Sequence, residues 1–281
     1  MTAASFAHAA AALREGDRER YLATLVLKGD YRDAVTALYA FNADVASIRL
    51  RVSDPAPGEI RLQWWCDALQ EQGHGDVRQN PVADALLEVM DRYGLPAGTL
   101  LRLIGARRFD LYDDPMPDLE TFEGYAGETA STLYQLAAMI LDDGGVMEAG
   151  DAAGHLGVAH AMIGHLRSFG HVAVQGRIVL PWSILAANGV REEEIFSGTT
   201  SEGLVEALGQ VAELAVEHLN KAEAAIARLP AKLRPAFASI AVLDAQLTLY
   251  LREAGDPFAP PPDEADWRKI GRLAWWTWRN R

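Results

Sequence analysis

Three groups of residues have the types and spacing to do chemistry. The first is a histidine series, His155, His160, His165 and His171. Imidazoles bind metals and move protons, but two ligands on one helix need a spacing of three or four to point the same way. The wider spacing here turns successive rings to different faces, so structural or solvated histidines are expected. The second group is the aspartate-rich stretch from Asp110 to Asp118, "DLYDDPMPD". Carboxylates hold magnesium on a diphosphate when several surround one ion. Here Asp113 and Asp114 precede a Pro-Met-Pro turn and no second carboxylate cluster answers them. A solvated loop is expected, with Asp118 capping the following helix. The third group is a stripe of small residues, Ala161, Gly164, Ser168 and Val172, recurring at helical spacing. The neighbouring stripe, Ala159, Met162, Ile163, Leu166 and Phe169, reads as core, so this helix is expected to be buried on most sides.

The elements that must position these groups are helices. Apolar residues recur at steps of three and four in 31–52, where Leu38, Phe41, Val45, Ile48 and Val52 share a face. Further helical runs cover 58–72, a segment opened by Pro81, and 97–112, 119–141, 151–173, 201–228, 233–253 and 266–280. Breaks fall at Gly29-Asp30, at 94–96, at 115–117, at Gly144-Gly145 and at Pro260-Pro-Pro262. No alternating strand pattern competes. Short connections predict one all-α domain over 1–262. The proline run reads as a linker that sets off a last helix, 263–281, which then docks back on the same domain.

Composition narrows the function classes. With 281 residues and 49% hydrophobic content the chain can bury a large core. A net charge of -13 disfavours nucleic acid as a partner, because phosphate binding needs a basic surface. The one cysteine, Cys66, allows no internal disulfide and suits a reducing compartment. The N-terminal alanine run lacks a basic lead and ends in Arg14 and Glu15, unlike a secretory signal. No uncharged apolar run reaches membrane-spanning length. A cytoplasmic location is expected, or a peripheral one at the inner face of the membrane.

The segment 155–181, "HLGVAHAMIGHLRSFGHVAVQGRIVLP", resembles the second signature of the squalene/phytoene synthase family. Gly157, Ala159, Leu166, Arg167, Gly176, Arg177, Leu180 and Pro181 match it without a gap. Ala37 to Phe41, with Tyr39 at the centre, resembles the first signature, and Gly58 to Leu69 resembles a third segment. The resemblance implies an isoprenoid (terpenoid) synthase fold with a central cavity. In the family, paired aspartates on two helices hold magnesium against diphosphates. Those positions fall here on Ala46, Ser47 and Leu50, and on Ser168 and Val172. The signature's glutamine and asparagine fall on Ala161 and Gly164. The implied metal set is therefore missing and no cofactor is expected, magnesium entering only if the chain is a working prenyl transferase. What the resemblance leaves is an apolar cavity with Arg49, Arg167 and Arg177 as anion partners and Tyr39, Ala161 and Gly164 on its wall. Collapse of the cavity, with the arginines in ordinary ion pairs, is the competing expectation.

Within the family the pattern is similar to the branch containing the mitochondrial assembly factor of respiratory complex I. Tyr125, Thr129, Ser131 and Leu133 match that branch, as do Leu166-Arg167, Leu180-Pro181 and the closing "WWTWRNR". The likeness implies a non-catalytic role in assembling NADH dehydrogenase, with a complex I subunit or assembly intermediate as partner and an isoprenoid, quinone or lipid as a candidate ligand. Head-to-head condensation of isoprenyl diphosphates is the alternative, and a lipid-binding module is a third. The last helix can be read two ways. Trp267, Ile270, Ala274 and Trp278 form an apolar stripe, broadened by Trp275 and Trp276, with Arg272, Arg279 and Arg281 around it. That stripe can dock on the protein's own core, or it can meet a membrane or a partner.

Overall fold

A computed structural model describes residues 3–70, 76–145, 149–253 and 255–281. The described residues form helices and turns, with no strand among them. In chain order the helices are α1 (Ala3–Gly16), α2 (Arg18–Thr24), α3 (Gly29–Ala46), α4 (Pro55–Leu69), α5 (Pro81–Tyr93), α6 (Ala97–Arg107), α7 (Leu119–Ala126) and α8 (Thr132–Leu141). Then come α9 (Gly150–Val174), α10 (Trp182–Ala187), α11 (Glu192–Phe196), α12 (Glu202–Ile226), α13 (Ile240–Arg252) and α14 (Asp266–Arg279). The last two residues of the helix expected over 58–72 lie outside the described residues.

Local chemistry explains the boundaries. The Asn80 side chain accepts from the backbone N–H groups of Val82 and Ala83, and Pro81 takes the first turn, where no amide donor is needed. Gly94, at φ 63°, then ends α5 in the left-handed conformation that a Cβ would penalise. Asp118 caps α7 by accepting from the Thr121 amide at 2.8 Å, as its sequence position predicts. The long run expected over 119–141 carries a π-turn at Gly127–Ser131. That extra residue per turn pushes the Ser131 backbone against α9, where its Oγ donates to the Gly154 carbonyl at 3.1 Å.

The two longest helices, α9 and α12, pack along each other. α12 contributes Leu204, Leu208, Val211, Ala215, Leu219 and Ile226, and α9 contributes Leu156, Ala159, Met162, Ile163, Leu166 and Phe169. α3 lies against α1, α5 and α8 and does not pack face to face with α9. α9 is buried on most sides, as expected, and only the side carrying Ala161, Gly164, Ser168 and Val172 stays partly open. Gly164 is exposed, and a Cβ built there meets nothing within 4 Å.

The proline run does not set the last helix loose. Arg167 donates to the Pro262 carbonyl at 2.9 Å, the Phe169 and Phe258 rings lie 5.5 Å apart, and the Phe258 backbone closes on Gly170. The strap 255–263 is thereby fastened along α9 before α14 docks on α2 and α13.

Candidate functional site

The sequence-matched positions separate into a buried polar cluster, an arginine cluster and an apolar groove. In the first, Tyr39, on α3, is buried, with the Arg20 guanidinium 5.9 Å from its ring centre. Arg20 donates to Asp17 at 2.6 Å. Burial alone would raise the Asp17 carboxyl, but Arg20 overrides it and holds it below the usual range. Burial likewise pushes the Tyr39 phenol up. Across from it, the Tyr134 hydroxyl meets His160 Nδ1 and Ser239 Oγ, each at 2.7 Å. Tyr134 can donate to the imidazole lone pair only while that nitrogen is unprotonated. Burial, reinforced by the Arg20 charge, lowers His160 to about 3, and burial lowers His165 to about 4.

Both imidazoles bind protons more weakly in the fold than at their ordinary value of 6.5. The unfolded chain therefore takes up more protons as acid is added, and stability is lost as pH falls from about 6.5 towards 4 and 3. Because both rings remain partly accessible, the combined loss by pH 5 is about 1–3 kcal/mol. Thermal melting between pH 7.5 and 5 checks this. His160→Gln should flatten part of that slope, and an unchanged slope would refute the assignment.

In the arginine cluster, Arg49 and Arg177 both reach Asp113 Oδ1, at 2.9 and 3.4 Å. Arg177 also donates to the Asp110 carbonyl at 3.2 Å. Beside them, Tyr125 donates to Asp110 at 2.7 Å and Arg107 donates to the Tyr125 oxygen at 2.6 Å. Burial opposes the charge on Arg107, and Tyr125 and Asp110 more than restore it. The space left among Asp110, Asp113, Tyr125, His165 and Arg177 is about 20 Å³, room for a water molecule rather than a ligand. Asp113 was expected in a solvated loop. It does lie exposed in that loop, and there it also supplies the anion that two of the three candidate arginines share.

Arg167, the third candidate, turns elsewhere, pairing with Asp263 at 3.2 Å beside the Pro262 carbonyl. It borders a groove of about 290 Å³ floored by Leu166, Leu208 and Tyr250 and roofed by Pro260 to Pro262. A second, open groove of about 810 Å³ runs between α1 and α3 past Ala43, Asp44 and Ser47. The three arginines thus do not converge, and the arrangement of one arginine-rimmed cavity does not form.

The positions expected to carry metal ligands do not fit a magnesium ion. Ala46 offers no side-chain oxygen, and α3 ends there. Leu50 therefore falls on a following 3-10 turn, 70% exposed, rather than on the helix face assumed for it. Val172 is apolar, and the Ser168 hydroxyl turns back to the His165 carbonyl at 3.4 Å. The carboxylates that could substitute are engaged. Asp44 accepts from Trp65 Nε1 at 2.9 Å and from Arg51 at 3.0 Å, Asp110 serves Tyr125, and Asp113 serves the arginines. Among the described residues no three His, Cys, Asp or Glu side chains gather as an ion would need.

The histidine series behaves as structural or solvated groups do. His160 and His165 sit among core side chains, His155 meets His218 at 3.1 Å, and His171 meets Gln175 on the surface. Sequence reasoning missed Asp17, Arg20, Tyr134 and Ser239. Asp17 and Arg20 carried one signal, an N-cap aspartate with its arginine three residues on. The other two have only long-range partners.

Residues 13–278 match the squalene/phytoene synthase family. The chain is 28% identical over 271 residues to the Rattus norvegicus protein named NADH dehydrogenase (ubiquinone) complex I, assembly factor 6, covering 96% of this chain and 80% of that one. Its identity to the chloroplastic phytoene synthase 2 of Solanum lycopersicum is 24%, over 78% of this chain and 73% of that one. Among solved structures, a dehydrosqualene synthase in complex with a ligand superposes with a TM-score of 0.82 at 19% identity, covering 98% of this chain and 96% of that one. The all-helical fold is thus that of the isoprenoid synthases, as the motifs imply.

Proposed function

The chain belongs to the squalene/phytoene synthase family, and from that premise we propose that it is a non-catalytic member that assists assembly of respiratory complex I, the NADH dehydrogenase. The assembly reading is carried by one observation: a similarity to complex I assembly factor 6 that extends over 96% of the chain, against 78% for phytoene synthase. The absence of catalysis rests on the donor set. Diphosphate ionisation in this family needs a Lewis acid held by carboxylates. Ala46, Leu50 and Val172 cannot ligate one, and Asp44, Asp110 and Asp113 already accept from fixed donors. No magnesium or other cofactor belongs to the proposed function.

Its partner is a complex I subunit or assembly intermediate. Its place is the cytoplasm or the inner face of the membrane, and no described helix is long and apolar enough to cross a membrane. An isoprenoid, quinone or lipid carried during assembly would lie in the groove beside Arg167. The pair Arg49 and Arg177 is a poorer anchor, since a ligand there must first displace Asp113.

Turnover separates this reading from the synthase one. Purified protein given farnesyl or geranylgeranyl diphosphate with magnesium is expected to form no head-to-head hydrocarbon. Steady product formation that chelation abolishes would overturn the proposal.

A further inference from the structure

We infer that the outward face of α14 is a lipid-binding surface that seats the protein on an anionic bilayer. The helix is docked with an unusual face inward. Its buried side carries Lys269, Leu273 and Thr277, with Trp276 half-buried beside them. Lys269 anchors it, reaching Asp263 at 2.7 Å and Glu19 at 3.0 Å. Three tryptophans face out instead: Trp267 is 69% exposed, Trp275 62% and Trp278 61%. A helix selected only to close the fold would turn its indoles inward and leave the lysine in water.

The outward residues form one ridge. At about 100° per residue, Trp267, Gly271, Ala274, Trp275 and Trp278 share a sector about 100° wide. Arg268 and Arg279 border it on one side and Ile270 on the other, with Arg281 just past the end of the helix. The Trp275 and Trp278 rings lie 5.0 Å apart, and the Arg268 guanidinium lies 5.2 Å from the Trp267 ring centre. Among the described residues, Arg268, Arg279 and Arg281 have no ion-pair partner, whereas Lys269 and Arg272 are neutralised by Glu19, Asp263 and Glu264.

Charge complementarity identifies the occupant. The whole chain carries -13, which repels an anionic surface, yet its free cations on α14 flank the exposed indoles. Indoles at headgroup depth with guanidinium groups on the phosphates are the chemistry of an anionic interface. A helix of 14 residues is about 21 Å long, too short to span a bilayer and suited to lie in its surface. The inference goes beyond the assembly reading, since vesicle binding can succeed or fail whatever the protein assembles.

The test is co-sedimentation of the full chain with phosphatidylcholine vesicles, with and without phosphatidylglycerol. Binding to the anionic vesicles is expected, weakening with salt and shifting tryptophan emission to the blue. Trp275→Ser with Trp278→Ser should lower the partition coefficient at least about tenfold. Arg268→Glu with Arg279→Glu should lower it by more than about fivefold per arginine and remove the preference for anionic lipid. These side chains are exposed, so circular dichroism and melting should match the wild type. Failure of the wild type to bind, or wild-type binding by both double variants, would overturn the inference. So would equal binding to neutral vesicles. Loss of a protein complex in the tryptophan variant, with no lipid binding in the wild type, would reassign the ridge to a protein partner.

Discussion

Gly157→Ala is expected to destabilise the fold by about 3 kcal/mol or more, and Gly157→Val to leave little folded protein. A Cβ at 157 would lie 2.1 Å from Ser131 Oγ, 2.3 Å from its backbone nitrogen and 2.4 Å from its Cα. The hydroxyl could rotate away; the backbone cannot, because the π-turn that places it is pinned by Thr129 on the Tyr125 carbonyl and Thr132 on the Gly127 carbonyl. Against a typical stability of about 5–15 kcal/mol, the alanine alone removes a large share. Gly164→Ala is the control on the same helix. Nothing lies within 4 Å of the added methyl, so it should be neutral or raise stability by up to about 1 kcal/mol through helix propensity. Denaturant melts of the two variants check the pair. Equal melting midpoints would mean that α9 does not meet the π-turn as described.

That glycine pair shows what the sequence carried and what it withheld. Gly157 was legible as a signature match, but the reason for it, a backbone brought close by a π-turn 26 residues upstream, depends on tertiary contact. The helices around Pro81, Asp118 and the apolar face of 202–226 were legible because capping and periodicity are local. α1, α2, α10 and α11 were not singled out: the first lies in the alanine-rich lead, and the other three have only seven, six and five residues. The loss of carboxylates at Ser168 and Val172 was readable from a gapless match, and that at Ala46 from the register set by Ala37 to Phe41. The fate of the arginines was not. Asp113 looked like a solvated residue before a turn, and only the folded loop brings it to Arg49 and Arg177. The proline run suggested a detached helix because its ties, through Arg167 and Gly170, are long-range. On α14 the tryptophan stripe was visible, but which face docks is decided by Glu19 and Asp263 pairing with Lys269.

Removing Asp113 would leave Arg49 and Arg177 sharing no carboxylate, so Asp113→Asn tests fold and anion affinity together. With Asp113 57% exposed, the expected stability change is modest.

The second large effect concerns the cell. If the protein assists assembly, its loss should remove most assembled complex I while leaving isoprenoid hydrocarbons untouched. If it is a synthase, the pattern reverses. The most direct measurement is therefore made in the native host with the gene deleted. Assembled NADH dehydrogenase is quantified by native electrophoresis with in-gel activity, and squalene, carotenoid and hopanoid levels are measured on the same cells. The expected result is a loss of most assembled complex with unchanged hydrocarbons, restored by the wild-type chain. Normal complex I together with altered squalene, carotenoid or hopanoid levels would contradict the account and return the chain to prenyl transfer.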